Sequence, residues 1–193
     1  KLRKNGRIKV NGKIVTNLAK KVSNSDEVHI GKKTIREDKN KISTVIVYNK
    51  PKGEIVSKKD PQGRRTIYDS LDHKYKHFLS VGRLDYASEG LLLLSDSVEI
   101  VDALMHSDLE RVYKIKVNGV ITKPVEQAMQ NGLEIEDATG GAFKTSKIKS
   151  MSFAPFLAYD ILTNSEKFSK IKVVISEGKN RELRRFFAHF GLD

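Results

Sequence analysis

The order of strand-like and helix-like segments most constrains what this chain can fold into. Short runs of β-branched or alternating apolar residues come in clusters, and the helix-like segments do not alternate with them regularly. That order is typical of an α+β fold on a mixed, mostly antiparallel sheet. The predicted strands cover residues 7–15 (as a hairpin), 27–30, 44–48, 54–57, 78–81, 90–94, 111–118, 142–149, 157–163 and 170–176.

Three helices are predicted from the residues at their ends. The first covers residues 97–106 and the last covers residues 181–190. The helix between them begins at Thr122 and Pro124 and ends at Gly132. Asp96 is expected to cap the first helix, with Glu99 reaching back in a capping box. Asn180 is expected to cap the last helix, which Gly191 ends and whose apolar side chains recur with helical spacing. Those apolar residues are Leu183, Phe186, Phe187 and Phe190.

Basic residues are concentrated in the first part of the chain. Residues 1–42 hold 13 of the 36 basic and 4 of the 24 acidic side chains, a net charge of +9, against +3 for the remaining 151 residues. Concentrated positive charge on a nearly balanced body favours a polyanionic partner, most often nucleic acid, although a solvated lysine-rich surface fits the same pattern. A charged stretch without periodicity near residues 36–42 predicts a linker, so we expect two domains, residues 1–42 and 43–193.

A hairpin is predicted within the first of these domains. Residues 7–15 alternate apolar and basic side chains around Asn11-Gly12, a pair that tolerates the positive φ angles of a two-residue turn. We predict a β-hairpin with one basic face for nucleic acid, carried by Arg7, Lys9 and Lys13.

Missing residues and motifs exclude several chemistries. The chain has no cysteine, which excludes thiolate zinc sites and cysteine nucleophiles, and it has no glycine-rich phosphate-binding motif. We therefore expect catalysis without a cofactor or metal; His73 and His77 have a zinc-like i, i+4 spacing, but no third ligand is evident. Leu91–Leu94 is as long as any uninterrupted apolar run and no signal peptide is visible, so we expect a cytoplasmic protein.

Asp85 is the candidate for acid–base or nucleophilic chemistry. It lies in a loop of small and polar residues between an apolar strand start near residue 80 and the run Leu91–Leu94. A carboxylate held by such a scaffold is where a nucleophile or general base is expected. From spacing alone, a turn aspartate that accepts hydrogen bonds from its own backbone fits equally well.

Four stretches, in order, resemble the bacterial ribosomal RNA pseudouridine synthases of the RsuA/RluB type. In chain order they are the opening turn Asn49–Gly53 with the basic loop Asp60–Ile67; Gly82-Arg-Leu-Asp85 with Ser88-Glu-Gly-Leu-Leu-Leu-Leu-Ser95; Glu110–Val117; and Ile175–Arg185. The resemblance covers about residues 43–191, and residues 6–30 resemble part of a small RNA-binding domain that often precedes this catalytic domain. It implies the fold of that family, with ribosomal RNA, slightly more the large-subunit RNA, as the partner.

The resemblance also implies roles for individual residues. Asp85 would act on the sugar of the target uridine, either as a nucleophile at the anomeric carbon or as a base at its neighbour, and the sequence leaves both routes open. Tyr113 would stack on the extruded uracil, and Arg184 would pair with Asp85, whose charged form a nearby cation favours. The further RNA-contact candidates are Arg64, Arg65, Arg83, Lys179 and Arg181. Glu182 stands where the family usually has glutamine.

Two other functions are weighed against this one. A noncatalytic RNA-binding or ribosome-assembly factor on the same fold fits the charge distribution. A carboxylate-dependent glycoside hydrolase would need two acids flanking one bond, and only Glu89 lies near Asp85 in sequence. A monomer is the expected state.

Overall fold

The computed structural model describes residues 7–17, 19–23, 25–35, 42–142 and 146–192. The chain divides into two compact units, Lys1–Ser43 and Thr44–Asp193. Positions 36–41 of the predicted linker lie outside the described residues.

The first unit contains a four-stranded antiparallel sheet. Its strands are β1 (Ile8–Val10), β2 (Lys13–Ile14), β3 (Val28–Ile30) and β4 (Lys33–Ile35), in the order β2-β1-β3-β4. Asn11 and Gly12 form the turn between β1 and β2 with φ angles of 51° and 77°, which confirms the predicted hairpin. The Asn11 side chain also donates to Asp26 at 2.7 Å and accepts from the Glu27 amide at 2.8 Å.

The prediction of one basic face on this hairpin is wrong. Lys9 lies opposite Ile14 and His29, whereas Lys13 lies opposite Val10. Directly opposed residues of a sheet share a face, so Lys9 and Lys13 project from opposite faces. The reason is the two-residue turn, which pairs Val10 with Lys13. Odd-numbered residues of β1 therefore share a face with even-numbered residues of β2.

The second unit contains the remaining strands and all described helices. In chain order they are β5 (Val45–Lys50), α1 (Ile67–Ser70), a 3₁₀ turn (His73–Tyr75), β6 (Leu79–Ser80), β7 (Gly90–Ser95), α2 (Val98–Met105), β8 (Arg111–Asn118), α3 (Lys123–Asn131), β9 (Leu133–Ile135), β10 (Met151–Phe153), β11 (Ala158–Thr163), β12 (Phe168–Ile175) and α4 (Glu182–His189). The sheets have the orders β5-β7-β6, β11-β12-β8 and β10-β9, with every pair antiparallel. The predicted α+β class is confirmed.

Two apolar clusters hold this unit together. One lies between the β5-β7-β6 sheet and α1, around Ile67 and Leu94, which have no exposed surface. The other lies between the β11-β12-β8 sheet and helices α3 and α4, around Phe186. The predicted apolar face of α4 is confirmed, because Phe186 and Phe187 are buried and Leu183 and Phe190 pack against the same cluster.

Four local predictions are wrong. Residues 54–57 form no strand, since only Ile55 makes an isolated bridge, to Thr66. Among residues 142–149, those that the structure describes form no strand either, and the Ile148 carbonyl accepts from the Arg185 side chain. The caps are also displaced. Ser97, not Asp96, caps α2, and Asp96 instead accepts from the Thr44 amide at 2.9 Å. Arg181, not Asn180, is the N-cap residue of α4.

No helix in the described part of the chain is long and apolar enough to cross a membrane. The described residues also contain no group of three or more side chains that could jointly bind a metal ion.

Candidate active site

Asp85 lies in the loop between β6 and β7 of the second unit. Gly82 enters the loop with a φ angle of 71°, and the Ser88 amide donates to the Asp85 carbonyl at 3.0 Å, which closes a turn. The Asp85 side chain keeps 26% of its surface exposed, so its carboxylate faces solvent while its backbone is fixed.

A buried lysine holds the Asp85 loop in place through hydrogen bonds. Lys50, at the end of β5, has no exposed surface, and its ammonium donates to the carbonyls of Pro51, Asp85 and Ser88 at 2.9, 3.0 and 2.7 Å. Burial lowers the pKa of Lys50, but three carbonyl acceptors satisfy all three donors of the charged form. Lys50 therefore ties the two ends of the Asp85–Ser88 turn to the end of β5.

Two arginines of the α4 segment converge on the Asp85 carboxylate. Arg184 Nε donates to Asp85 Oδ2 at 2.9 Å, and Arg181 Nη1 lies 3.2 Å from the same oxygen. The contact between Asp85 and Arg184 is the one expected from the sequence, and it is confirmed. Arg181, predicted as an RNA contact, lies against Asp85 and donates from Nε to the Gly141 carbonyl at 2.5 Å, and its contact with RNA stays a prediction. The two guanidinium groups therefore hold the carboxylate at this position by charge-assisted contacts.

A cleft of about 520 Å³ is lined by the Asp85 loop, strand β8 and the start of α4. Tyr113 of β8 lines it together with Asp85, Arg184 and Leu183. The alternation predicted for β8 is confirmed, because Val112 and Lys114 are exposed while Tyr113 packs against the apolar cluster. Burial raises the pKa of Tyr113, so its phenol stays protonated at neutral pH and can donate a hydrogen bond into the cleft.

Glu182 is a second carboxyl group of the cleft wall. Only 7% of the residue is exposed, and its Oε2 accepts from the Lys179 amide at 2.9 Å. Burial and the neighbouring Glu177 raise the pKa of Glu182, whereas the ammonium of Lys179 at 2.8 Å lowers that of Glu177. When it is protonated, Glu182 can therefore donate a hydrogen bond to the Glu177 carboxylate.

We expect Glu182→Gln to stabilise the protein at high pH but not at low pH. An acid whose pKa is raised by folding contributes stability that is present below its ordinary pKa of 4.5 and is lost as pH rises through the folded value. Glutamine keeps the acceptor for the Lys179 amide and a donor for Glu177 without titrating. Urea unfolding should show a higher unfolding free energy for the variant than for the wild type at pH 8 and no such gain near pH 4. Equal effects at both pH values would contradict the buried titration.

Arg64, Arg65 and Lys179 each form bonds within the protein. Arg64 grips Asp60 through two hydrogen bonds of 2.9 Å, which lowers the pKa of that carboxyl to about 2. The other two contact nearby acceptors. Arg65 Nε lies 3.0 Å from Ser70 Oγ and 3.3 Å from Glu54 Oε1, and Lys179 Nζ donates to the Ser152 carbonyl and Glu177. A contact of these three with RNA stays a prediction.

The other RNA-contact candidates lie in separate places. Arg83 lines the cleft beside Asp85. Lys9 and Lys13 are exposed on the small sheet of the first unit, and Arg7, also exposed, directly precedes it.

Sequence reasoning missed the role of Lys50 and the position of Arg181. A signal existed for Lys50, since it continues the inward-facing series Ile46, Tyr48 of strand β5. For Arg181 the signal was its spacing of three residues from Arg184, which places both arginines near one side of the helix start.

The architecture matches a known fold. A solved structure described as a pseudouridylate synthase superposes with a TM-score of 0.62 over all of this chain and 76% of its own, at 23% identity. At that identity the likeness establishes the fold alone.

The comparison of sequences identifies the family. The model of the family described as RNA pseudouridylate synthase matches residues 44–189. An uncharacterized RNA pseudouridine synthase of Helicobacter pylori (strain 26695) is 57% identical over 96% of this chain and 70% of its own length. Ribosomal large subunit pseudouridine synthase B of Bacillus subtilis (strain 168) is 33% identical over 97% and 72%. The chain belongs to the RNA pseudouridylate synthase family, and it is an isomerase that acts on RNA.

Proposed function

We propose that this chain converts uridine to pseudouridine in ribosomal RNA of the large subunit, with Asp85 as the reacting group. The relative from Bacillus subtilis is named for large-subunit RNA, and it aligns over nearly the whole chain. The single observation that supports the catalytic part is the carboxylate of Asp85, held by Arg184 and Arg181 at a cleft that Tyr113 lines from the other wall.

The reaction rearranges one nucleotide without net oxidation or reduction. The bond between the ribose anomeric carbon and the base nitrogen breaks, the uracil turns, and the same carbon bonds to carbon five of the base. Carbon five then loses its proton, and the freed nitrogen is protonated. Asp85 either attacks the anomeric carbon or removes a proton from the neighbouring ribose carbon.

The side chains around Asp85 supply charge and shape. Arg184 and Arg181 orient the carboxylate, since both contact its Oδ2 oxygen. Tyr113 offers an aromatic face for the everted base, and stacking of that kind contributes about 1–3 kcal/mol. This is comparable with the few kcal/mol needed to flip a nucleotide out of a stack.

Docking of the larger RNA involves the basic residues outside this centre. Lys9 and Lys13 lie on the small sheet and Arg7 directly precedes it. The candidates on the second unit are Arg64, Arg65, Arg83, Lys179 and Arg181. We infer that the protein works as a monomer in the cytoplasm, where ribosomal RNA is made and assembled.

We expect Lys50→Met to loosen the reacting loop. Methionine fills the buried volume but removes the Lys50 donor from three carbonyls, of which, among the described residues, only that of Asp85 keeps another donor, the Ser88 amide, and this should cost about 2–3 kcal/mol of unfolding free energy. Displacement of Asp85 by about 1 Å can reduce kcat by about 100-fold, and KM for RNA should change little. Urea unfolding and steady-state kinetics measure the two effects, with the exposed Lys59→Met as the matched control. Unchanged kcat in a folded Lys50→Met protein would refute the role in positioning.

A map of modified positions tests the proposed substrate. The purified chain is incubated separately with unmodified large-subunit and small-subunit ribosomal RNA transcripts, and pseudouridines are located by carbodiimide treatment and primer extension. The proposal predicts one or a few sites in the large-subunit transcript. Sites confined to the small-subunit transcript would overturn the choice of RNA. Binding without modification of either transcript would support a noncatalytic RNA-binding factor instead.

A further inference from the structure

The outer face of the β11-β12-β8 sheet carries a rectangle of lysines. Lys114 and Lys116 lie on β8, and Lys172 and Lys170 lie directly opposite them on β12. All four are exposed, because the alternation of each strand turns them away from the apolar cluster around Phe186. Residues two apart on a strand are about 6.6 Å apart, and the strands are about 4.8 Å apart.

This arrangement is unfavourable for the isolated protein. Like charges directly opposite one another across two strands destabilise a sheet, and here two such pairs are adjacent. Within the three strands, the same face offers one acidic residue, Asp160, opposite Lys172. The ammonium groups of Lys116 and Lys170 lie 4.5 and 5.9 Å from the ring centroid of Phe168, so both cations are within cation–π distance of one aromatic ring. A surface of this kind is stabilised by a polyanion.

The rectangle is continuous with the cleft. Lys114 and Lys116 line the cleft together with Tyr113, which belongs to the same strand but faces the other way. Strand β8 is an edge of its sheet, so a chain that leaves the cleft can pass over this edge onto the lysine face.

We propose that the rectangle Lys114, Lys116, Lys170 and Lys172 binds phosphates of the substrate RNA that flank the nucleotide in the cleft. The inference rests on the proposed function, because it requires RNA in the cleft. Lysines are point charges on flexible stems, so this surface binds the backbone without reading its sequence. It extends the RNA path beyond the contacts predicted from the sequence, none of which lies on this face.

Salt dependence of binding tests the proposal. Affinity for a 30-nucleotide single-stranded poly(U) RNA is measured by filter binding between 0.05 and 0.4 M KCl, for the full chain and for K114Q/K116Q/K170Q/K172Q. Each lost phosphate contact lowers the slope of log affinity against log salt by about 0.7. We expect a slope lower by roughly 2–3 and binding weaker by on the order of 100-fold at 0.1 M salt. An unchanged slope would overturn the proposal and leave the face for a partner other than RNA.

A matched control separates the surface from overall charge. K59Q/K74Q/K76Q/K123Q removes the same charge from exposed lysines elsewhere on the second unit and should leave the slope within about 0.7 of the wild-type value. An equal fall in both quadruple variants would refute a specific surface. Loss of like-charge pairs should leave thermal stability unchanged or higher. If K114Q/K116Q/K170Q/K172Q unfolds at a lower temperature than the wild type, the double variants K114Q/K172Q and K116Q/K170Q are measured instead. Each should lower the slope of log affinity against log salt by about 1.4.

Failure of this proposal and failure of the proposed function give different results. A wild-type protein that binds RNA through the lysines but never modifies it would refute the isomerase activity and support this surface. A wild-type protein that modifies RNA but binds it with the same salt slope as the quadruple variant would support the isomerase activity and refute this surface.

Discussion

Asp85→Asn is expected to reduce uridine isomerisation by at least about 1,000-fold, because the amide has neither the charge nor the basicity to act on the ribose. Asparagine preserves the size of the side chain, and its amide oxygen can still accept from Arg184. The fold and the affinity for RNA should therefore change little. The measurement is single-turnover release of tritium from carbon five of labelled uridine in a ribosomal RNA transcript.

The control for this substitution is Asp102→Asn on helix α2, where the side chain is 72% exposed. It removes the same charge and should retain full activity. Release by Asp85→Asn within about tenfold of the wild-type rate would show that another group carries out the reaction.

Arg185→Met is expected to cost about 3–5 kcal/mol of unfolding free energy, because several buried acceptors lose a charged donor. Arg185 is only 1% exposed, and its guanidinium donates to the carbonyls of Ala138 and Ile148, to Ser146 Oγ at 2.8 Å and to Asn180. It thus ties the loop after β9 to the start of α4, beside Arg184. Methionine matches much of the volume but leaves these acceptors without their donor.

Urea unfolding of Arg185→Met and of Arg83→Met measures this effect. Arg83 is exposed, so its loss should cost less than about 1 kcal/mol. Similar costs for the two variants would mean that water or a shifted backbone replaces the buried guanidinium.

The sequence predicted features that depend on local periodicity. The alternation of β8 placed Tyr113 on the buried side, and helical spacing placed Phe186 and Phe187 in the core. Both patterns are set by the geometry of a single element, so no distant contact is needed to read them. The pairing of Asp85 with Arg184 came from the resemblance of separated motifs, because their 99-residue separation gives no local signal.

Other features depended on partners that sequence reasoning could not locate. The predicted cap Asp96 is bonded to Thr44, 52 residues away, so Ser97 caps the helix instead. Arg185 is buried because the loop around Ala138 and Ile148 supplies carbonyl acceptors, and nothing in the amphipathic pattern of α4 indicates that. Lys50 belongs to the predicted turn Asn49–Gly53, which gives no sign of burial, and its parity with Tyr48 on β5 turns it inward.

Quantification of both products from one transcript tests the central claim most directly. The purified chain is mixed with large-subunit ribosomal RNA tritiated at carbon five of uridine, and released tritium and pseudouridine nucleoside are counted in the same sample. We predict that they appear in a one-to-one ratio, since every isomerisation expels one carbon-five proton and makes one pseudouridine. Absence of both products from RNA that the protein demonstrably binds would contradict the assignment of Asp85 and its arginines to uridine isomerisation.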